Sequence, residues 1–243
     1  MESEWWQTFF SGNWLSVQRT LRADRTQEEV TFLERVLDLR KGNEVLDVPC
    51  GNGRLGIPLA ERGYRVTGVD ITDVLVDEAK AASKHVDFDI VKSDMRNLPW
   101  SQMFDAALCF WGSFGYFDDT GNREFLTATN HTLKPGAKFV LDIPNIAETI
   151  LPRLQSRTQS TIGETLVTEE HSYKYEQSRF EIRWTLEEGG VSETKTSSMR
   201  VYGFREVCEL FNDTGFDVCE VLSSLQGDPY ELGRRGYFVL RKR

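Results

Sequence analysis

The amino-acid sequence predicts an α/β fold: a mostly parallel sheet with helices on both faces, and a small antiparallel sheet inserted into it. Between residues 44 and 143, short apolar runs alternate with segments of helical period, which is typical of parallel strands joined by helices. Residues 160–203 instead carry successive β-rich segments of alternating polarity. Because 243 residues suffice for one large core but not for two full domains, we expect a single domain over 1–243.

The N-terminal segment is rich in aromatic residues. Trp5, Trp6 and Trp14 lie within residues 5–21 and give this segment more apolar surface than a solvated tail carries. It is therefore expected to pack, either as a helix docked on the core or as a lid folded over a ligand. We assign residues 1–40 as an N-terminal helical lid segment.

The helix that leads into the sheet is predicted to begin at Thr26, which has the spacing of a capping box with Glu29, and to continue to about Leu39. The parallel part of the sheet follows it. Its five strands are predicted at 45–48, 65–70, 87–91, 105–110 and 138–143, with helices over 54–62, 73–82 and 122–132 and a turn at Lys134-Pro135-Gly136 before the fifth strand.

The pattern changes after Pro144. Three antiparallel strands are predicted within 160–203, and we expect this inserted unit to cover the substrate. A helix and a final pair of strands then bring the main sheet to seven strands. The three inserted strands are 165–173, 179–186 and 194–202, the helix is 204–212, and the final pair is 216–225 and 236–241.

The charge and composition of the chain limit the kinds of partner that it is expected to bind. The net charge of −9 disfavours nucleic acid and anionic membranes, so a small-molecule partner is expected, with the chain a monomer or homodimer. The N-terminus lacks the basic-then-apolar order of a signal peptide, and no apolar run reaches the roughly 18 residues of a membrane span. Four widely spaced cysteines indicate free thiols, and no metal-ligand spacing occurs. A cytoplasmic protein without a metal is predicted.

Three aspartates close three consecutive predicted strands. Asp47, Asp70 and Asp94 should meet at one edge, because the carboxyl ends of parallel strands share an edge and ligands bind there. Asp70 could accept both hydroxyls of a ribose, and Asp94 the amino group of an adenine covered by Met95. Each aspartate alone is more often a turn or cap residue. Together, in this order, they favour an adenosine ligand with an amino group at its other end.

A glycine loop follows the first of these strands. Gly51 and Gly53 let the backbone approach a ligand closely, and the helix N-terminus behind them offers free N–H groups to a carboxylate or a phosphate. Extended to Gly56, the loop also satisfies G-x-G-x-x-G, with Asp70 near the expected distance of about 20 residues. The loop alone therefore fits a dinucleotide as well, and the other two aspartates favour the adenosine.

Several ordered motifs resemble those of the class I S-adenosylmethionine-dependent methyltransferases of the small-molecule type, whose fold is Rossmann-like. The resemblance is strongest over residues 28–142. The matching segments are DVPCGNGR at 47–54, GYRVTGVD at 63–70, SDMRNLPW at 93–100, FDAALCFWGSFGYF at 104–117 and LKPGAKFVLDIPN at 133–145.

The resemblance implies S-adenosylmethionine as the cofactor and S-adenosylhomocysteine as the product. Asp47 would orient the amino group of the methionine part, and Arg54 could reach its carboxylate. Pro49 stands where the family usually has glycine and removes an N–H, which predicts a shifted loop or a lost contact. The implied cofactor-binding residues are Trp14, Asp47, Pro49, Gly51, Gly53, Arg54, Asp70, Ile71, Asp94, Met95, Arg96 and Phe110.

The resemblance also implies transfer of a methyl group to nitrogen or oxygen of a small molecule by in-line displacement. Such a transfer needs alignment at about 3 Å and exclusion of water more than a dedicated base. Candidate substrate contacts are Trp111, Ser113, Phe114, Tyr116, Arg200 and Tyr202, with loop packing and sheet surface as the alternative; candidate catalytic residues are Tyr116, His171, Arg200 and Tyr202.

Two other functions stay open at this point. A nicotinamide-dependent oxidoreductase using NAD(P) would explain the glycine loop and Asp70. A non-catalytic protein that binds S-adenosylmethionine would explain the departure at Pro49.

Overall fold

A computed structural model describes residues 4–20 and 23–243 of the chain. Residues 1–3 and 21–22, which belong to the predicted lid segment, lie outside the described residues. The helices are α1 (Trp6–Phe9), α2 (Asn13–Thr20), α3 (Thr26–Val36), α4 (Gly56–Glu61), α5 (Asp73–Ala82), α6 (Asp119–Thr132), α7 (Ala147–Ile150) and α8 (Phe204–Asp213), with short 3₁₀ helices at Ala23–Arg25 and Leu151–Arg153. The strands are β1 (Glu44–Asp47), β2 (Arg65–Asp70), β3 (Phe88–Lys92), β4 (Phe104–Cys109), β5 (Leu133–Ile143), β6 (Arg157–Ile162), β7 (Thr165–Lys174), β8 (Arg179–Glu188), β9 (Val191–Arg200), β10 (Phe216–Leu222) and β11 (Gly236–Lys242).

The main sheet has seven strands in the order β10-β11-β5-β4-β1-β2-β3. Strand β1 is parallel to both of its neighbours, so that Val45 pairs with Val66 on β2 and with Ala106 on β4. Only β11 breaks the parallel pattern, since it runs antiparallel to β5 and β10. The predicted mostly parallel, seven-stranded sheet is confirmed. Its strand order reverses between β1 and β4, which is where a ligand crevice forms in such sheets.

The central strands are buried on both faces. Val45 and Leu46 of β1, like Ala107 and Leu108 of β4, have no exposed surface. Their side chains belong to two apolar clusters. One cluster includes residues of α6 and α8, and the other includes residues of α3 and α4. A strand covered on both faces must be apolar along its length, which is why these segments are continuous apolar runs. This packing fixes the position at which β1 ends, at Asp47.

The inserted sheet has four antiparallel strands, β6 to β9, whereas the sequence predicted three. The missed strand is β6, whose residues are mostly polar and exposed, so that no alternation of apolar residues marks it. The last inserted strand also begins and ends earlier than predicted, at Val191 and Arg200. Tyr202 instead forms an isolated bridge with Ile146. Arg200 and Tyr202 therefore do not share a face of one strand.

Two local predictions near the sheet were wrong. Helix α3 begins at Thr26 but has no capping box, because the Thr26 hydroxyl and the Glu29 carboxylate both accept hydrogen bonds from Arg54. The Lys134-Pro135-Gly136 segment lies within β5 and is not a separate turn. It is accommodated by an irregularity in the pairing of β4 with β5. In both places a contact between distant segments overrides the local signal.

Helices α1 and α2 pack on the inserted sheet. Trp14 lies edge-on to Trp184 of β8, with 4.9 Å between ring centroids, and Val17 is buried against Val167 of β7. The backbone N–H of Asn13 donates to a carboxylate oxygen of Glu193 at 2.8 Å. The aromatic N-terminal segment and the inserted sheet thus form one packed unit.

The cysteines Cys50, Cys109, Cys208 and Cys219 are free thiols, and the first two are buried. Within residues 4–20 and 23–243, no helix is long and apolar enough to cross a membrane. The same part of the chain holds no group of three or more side chains that could ligate a metal.

Candidate functional site

A cavity of about 920 Å³, counted with its open mouth, lies at the carboxyl ends of β1, β2, β3 and β4. It sits where the strand order reverses, as expected for an open parallel sheet. Most of the residues that the sequence linked to a ligand line it. They are Asp47, Pro49, Gly51, Arg54, Asp70, Ile71, Asp94, Met95 and Phe110 from the predicted cofactor set, and Trp111, Ser113 and Tyr116 from the predicted acceptor set.

Asp70, at the end of β2, braces the glycine loop. One of its carboxylate oxygens accepts a hydrogen bond from the Gly51 N–H and the other accepts one from the Thr72 N–H, each at 2.9 Å. Burial raises the pKa of Asp70, while these backbone N–H groups lower it. Each carboxylate oxygen has a second lone pair. Asp70 can therefore also accept hydrogen bonds from a ligand.

Asp47, at the end of β1, has an oxygen without a partner. The residue is 2% exposed, and its Oδ2 makes no hydrogen bond within the described part of the chain. Burial raises the pKa of Asp47 from 3.8 to about 8; the positive charge of Arg54 lowers it and the charge of Asp70 raises it. A buried acceptor left unpaired costs roughly 1–3 kcal/mol. The site therefore favours a ligand that brings a hydrogen-bond donor, above all a cationic one.

The two glycines of the loop have different surroundings. A Cβ on Gly51 would lie 3.2 Å from the Gln18 amide, whereas one on Gly53 would lie 2.9 Å from the Phe88 ring, and both residues have positive φ. Gly53 does not line the cavity, because Phe88 fills the space beneath it. Gly51 therefore lines the cavity, whereas Gly53 allows the loop to pack closely on the Phe88 ring.

Pro49 lines the cavity, and the peptide bond before it is cis. The chain is tied to the sheet on both sides of Pro49. The Val48 N–H donates to the Leu108 carbonyl at 3.0 Å, and the Cys50 N–H donates to the Val69 carbonyl at 2.9 Å. The loop is thus anchored to β4 and β2 although Pro49 itself has no N–H.

Asp94, just after β3, is held ionised by Arg96. One carboxylate oxygen accepts from the backbone N–H of Arg96 at 2.8 Å, and the other accepts from the Arg96 guanidinium at 2.6 Å. Burial raises the pKa of Asp94, but the bonds from Arg96 lower it more, to a net value below its usual range. Arg96 is outside the cavity lining and lies over the Phe117 ring, 4.2 Å from its centroid. Met95, which is 7% exposed, lines the cavity beside Asp94.

Arg54 brings a positive charge into the cavity. It donates to the Thr26 hydroxyl at 3.1 Å and to the Glu29 carboxylate at 2.6 Å, and its guanidinium lies 5.4 Å from the centroid of the Trp111 ring. The Glu29 side chain is fully buried, so this ion pair holds the arginine in one place. Arg54 therefore links α3 to the loop after β4.

The N-terminal segment supplies cavity residues that the sequence did not assign to the cofactor. Trp6, Phe10 and Gln18 line the cavity, and Trp6 packs edge-on to Phe117 at 4.8 Å. Trp14, which was in the predicted cofactor set, lies instead in the apolar cluster against the inserted sheet. The aromatic composition indicated a lid. Which ring faces inward depends on how α1 and α2 are oriented about Gly12, whose φ is +57°, and composition does not predict that orientation.

The loop after β4 forms the wall opposite the glycine loop. Trp111 has a φ of +75°, which is uncommon for a bulky residue, and its N–H donates to the Asp142 carboxylate at 2.9 Å. Tyr116 also lines the cavity, and burial raises the pKa of its phenol. At neutral pH this phenol is protonated, so it acts as a donor rather than as a base.

Four of the predicted acceptor and catalytic candidates do not line this cavity: Phe114, which is 1% exposed within the apolar core, Arg200, Tyr202 and His171. The Arg200 guanidinium pairs with Asp119 at 2.8 Å and with Glu206 at 2.6 Å, and it stacks on the Tyr202 ring. The Tyr202 hydroxyl accepts a hydrogen bond from the Asn122 amide at 3.0 Å. Both residues thus tie the end of the inserted sheet to α6 and α8.

His171 lines a second cavity instead. Its Nδ1 lies 2.7 Å from the Gln155 carbonyl oxygen, and its Nε2 lies 3.0 Å from a Glu169 carboxylate oxygen. Both partners are acceptors, so in this arrangement neither ring nitrogen is open to take a proton from a substrate.

Comparisons with known proteins agree with this geometry. A family described as a methyltransferase domain matches residues 45–136, which span β1 to β4. The ubiquinone biosynthesis O-methyltransferase of Coxiella burnetii is 30% identical over 112 residues, which are 45% of this chain and 44% of that protein. The chain spans less than half of the length of the curated relatives that it matches.

Two solved structures share the fold over nearly the whole chain. The CcbJ methyltransferase from Streptomyces caelestis is 18% identical with a TM-score of 0.76, covering 90% of this chain and 89% of that one. CalS10, an amino pentose methyltransferase from Micromonospora echinaspora solved with S-adenosylmethionine bound, is 19% identical with a TM-score of 0.67, covering 90% and 91%. At these identities the likeness shows the fold alone. Residues 45–136 thus match a methyltransferase domain, and these residues include the strands that build the cavity.

Proposed function

We propose that this chain is a methyltransferase that uses S-adenosylmethionine to methylate nitrogen or oxygen of a small molecule. One observation carries the proposal. The unpartnered carboxylate oxygen of Asp47 lies in the same cavity as two further carboxylates, Asp70 and Asp94, each at a neighbouring strand end. An adenosine with an amino acid at its far end would supply hydrogen-bond donors to all three.

The adenosine part fits the side of the cavity formed by β2 and β3. Asp70 lines the cavity and would accept from the two hydroxyls of a ribose, beside the Gly51 and Thr72 N–H groups that it already binds. Asp94 is kept ionised by Arg96, so that it can accept from an adenine amino group, with Met95 against the ring. These assignments keep every buried carboxylate hydrogen-bonded.

The amino acid part fits the side formed by β1 and the loop after β4. An ammonium group would satisfy the Asp47 oxygen that otherwise has no donor, and the Arg54 guanidinium, which is paired with Glu29 through Nη1, has further N–H groups to donate to a carboxylate. Gly51 lines the same cavity without a side chain, and a Cβ there would lie 3.2 Å from the Gln18 amide. Because Pro49 has no backbone N–H, the loop offers one donor fewer to the amino acid part of the ligand. Binding of that part would therefore depend more on side chains than on the backbone.

The residues around the ligand would position it and keep water out. S-adenosylmethionine supplies a methyl group that is already activated for transfer, so alignment of the acceptor is the main requirement. Trp6 and Phe10 of the N-terminal segment line one part of the cavity, and Trp111 in the loop after β4 lines another. Tyr116, protonated at neutral pH, would orient an acceptor by donating a hydrogen bond.

A small acceptor is supported by the acidity of the chain and by its similarity to methyltransferases of small molecules. The net charge of −9 opposes binding to nucleic acid. An amino pentose methyltransferase has the same fold, and a relative is an O-methyltransferase of ubiquinone biosynthesis, which together support nitrogen or oxygen of a small molecule as the target.

A transfer assay tests this proposal. The purified chain is incubated with S-adenosylmethionine and a panel of small amines, phenols and carboxylic acids, and release of S-adenosylhomocysteine is measured by mass spectrometry. We expect at least one acceptor class to be methylated. Binding of S-adenosylmethionine without transfer to any member of the panel would favour the non-catalytic alternative.

A further inference from the structure

Gln18 occupies a position on α2 where an apolar residue is expected. Trp14, Val17 and Gln18 are the buried residues of this helix, and their spacing of three and four places them on one face. Trp14 and Val17 join the apolar cluster against the inserted sheet, whereas Gln18, which is 8% exposed, lines the first cavity, at the carboxyl ends of β1 to β4. Its Oε1 makes no hydrogen bond within residues 4–20 and 23–243. Because a buried polar group without a partner is unfavourable, this amide favours a ligand that pairs with it.

The first cavity contains two buried acceptors that lack a partner. Among the described residues, the buried side-chain atoms without a hydrogen bond include two whose residues line this cavity, the Asp47 Oδ2 and the Gln18 Oε1. An amide oxygen accepts hydrogen bonds, and so does a carboxylate oxygen once Asp47 is ionised. An ammonium group has three N–H donors, so that a bond to Asp47 alone would leave two of them to be paired. Gln18 thus offers a second acceptor to the same ammonium group.

The Gln18 amide approaches the glycine loop beside Gly51. Its Nε2 would lie 3.2 Å from a Cβ on Gly51, whereas the N–H of Gly51 is already bonded to Asp70, the proposed ribose contact. The two side chains therefore meet the loop at different atoms. The amide also carries N–H donors, and the amino acid end of a cofactor carries a carboxylate as well as an ammonium group. One side chain thus matches both charged groups of that end, whichever way its amide is turned.

We propose that Gln18 binds the amino acid end of S-adenosylmethionine, and that its amide oxygen accepts a hydrogen bond from the ammonium group that Asp47 also binds. This inference rests on the proposed function and adds a cofactor-binding residue from outside the parallel sheet. It also connects the cofactor to the inserted sheet. Trp14, on the same helix, lies edge-on to Trp184 of β8 with 4.9 Å between ring centroids, so a bond at Gln18 holds α2 between the glycine loop and that sheet.

Calorimetric titration tests the proposal with S-adenosylhomocysteine and with methylthioadenosine, which lacks the amino acid end. Gln18→Leu keeps the approximate size of the side chain and removes its amide. We expect it to weaken binding of S-adenosylhomocysteine about tenfold, in the range of one hydrogen bond to a charged group, and to change the affinity for methylthioadenosine less than about twofold. Gln7→Leu, the same change at an exposed residue of α1, is the matched control and should alter neither affinity.

Hydrogen exchange measures the link between the cofactor and α2. With the wild type saturated by either ligand, S-adenosylhomocysteine should slow exchange of the amides of residues 13–20 more than methylthioadenosine does, because only the former carries the group that Gln18 binds. In Gln18→Leu this difference between the two ligands should disappear.

Three results would overturn the inference. The first is an equal weakening of both ligands by Gln18→Leu, since the side chain would then act on the adenosine part or on the packing of the N-terminal helices. The second is an unchanged affinity for S-adenosylhomocysteine in that variant. The third is equal protection of residues 13–20 by the two ligands in the wild type. Failure of the wild type to bind S-adenosylhomocysteine would instead contradict the proposed function, so the two failures are distinguishable.

Discussion

The two cavities of this protein differ in charge and in what builds them. The first lies at the ends of buried strands and is lined by three carboxylates, Asp47, Asp70 and Asp94. The second lies on the inserted sheet, most of its lining residues are polar, and its charged side chains, Arg153 and Glu169, have opposite signs. The carboxylates of the first cavity suit a ligand with an ammonium group and hydroxyls, whereas the second cavity has no such excess of one charge. The comparison teaches that the strand ends, and not the inserted sheet, concentrate the hydrogen-bond acceptors that a ligand with many donors needs.

The largest effect is expected from Asp70→Asn. This change removes the charge that holds both the loop N–H groups and the proposed ribose hydroxyls, and bonds to an ionised group are worth about 1.5–3 kcal/mol. We expect the affinity for S-adenosylhomocysteine to fall about 100-fold in calorimetric titration. Asp73→Asn is the matched control, since Asp73 is 77% exposed at the start of α5. An equal loss in both variants would mean that net charge, and not the position of Asp70, controls binding.

The loop glycines test the shape of the first cavity. Gly53→Ala places a Cβ 2.9 Å from the Phe88 ring, while Gly42→Ala at nearly the same φ, +82° against +81°, meets nothing within 4 Å. Both should lose about 1 kcal/mol of unfolding free energy from backbone strain. Gly53→Ala should lose roughly 1–3 kcal/mol more from the clash, measured by chemical denaturation. Equal losses would show that the packing under the loop is tolerant and does not hold the cofactor site in shape.

Asp47 should couple cofactor binding to pH. Its pKa of about 8 means that a proton must leave before the carboxylate can pair with an ammonium group. Affinity for S-adenosylhomocysteine should therefore rise as pH increases toward 8, by up to about tenfold per unit, with release of a proton. Asp47→Asn should abolish this slope. The measurement is calorimetry in buffers of different ionisation enthalpy, and a proton release unchanged in the variant would assign the linkage to another group.

The same pKa shift predicts the opposite trend for the ligand-free protein. The folded state retains the Asp47 proton up to about pH 8, whereas the unfolded chain loses it near pH 3.8. This group therefore lowers the free energy of unfolding as the pH rises between these two values. Asp47→Asn should flatten that decline in thermal melts recorded across this range, and an unchanged decline would argue against a buried, protonated Asp47.

The smallest effect is expected at the lid. Trp6→Ala removes a ring that lines the first cavity, and we expect S-adenosylhomocysteine to bind about three- to tenfold more weakly, through loss of apolar contact. Tyr175→Ala, at a side chain that is 77% exposed, is the control and should change nothing. Affinity unchanged in Trp6→Ala would show that the N-terminal helices pack on the inserted sheet without covering the cofactor.

The same two regions differ in how far the sequence predicted them. The parallel strands, the position of Asp47 and Asp70 at strand ends and the glycine loop follow from periodicity, because buried strands and tight turns have few alternative sequences. The strands of the inserted sheet were predicted less completely from the sequence. Strand β6 is polar throughout and was missed, and the second cavity depends on how α7 packs on β8, which no local pattern encodes.

Individual residues repeat this contrast. Arg200 was a candidate substrate contact in the sequence, but Asp119 and Glu206 from other segments neutralise it. Contacts between distant segments decide which arginine is available to a ligand, and only the folded chain shows them.

The central claim is that the strand-end carboxylates form a site for adenosine with an amino acid end. Its most direct test is a calorimetric titration of the purified chain with S-adenosylhomocysteine, with methylthioadenosine, which lacks the amino acid end, and with NADH. We predict that S-adenosylhomocysteine binds, that methylthioadenosine binds at least about tenfold more weakly, as expected if the donor to Asp47 is lost, and that NADH does not bind. Binding of NADH without binding of S-adenosylhomocysteine would contradict the account.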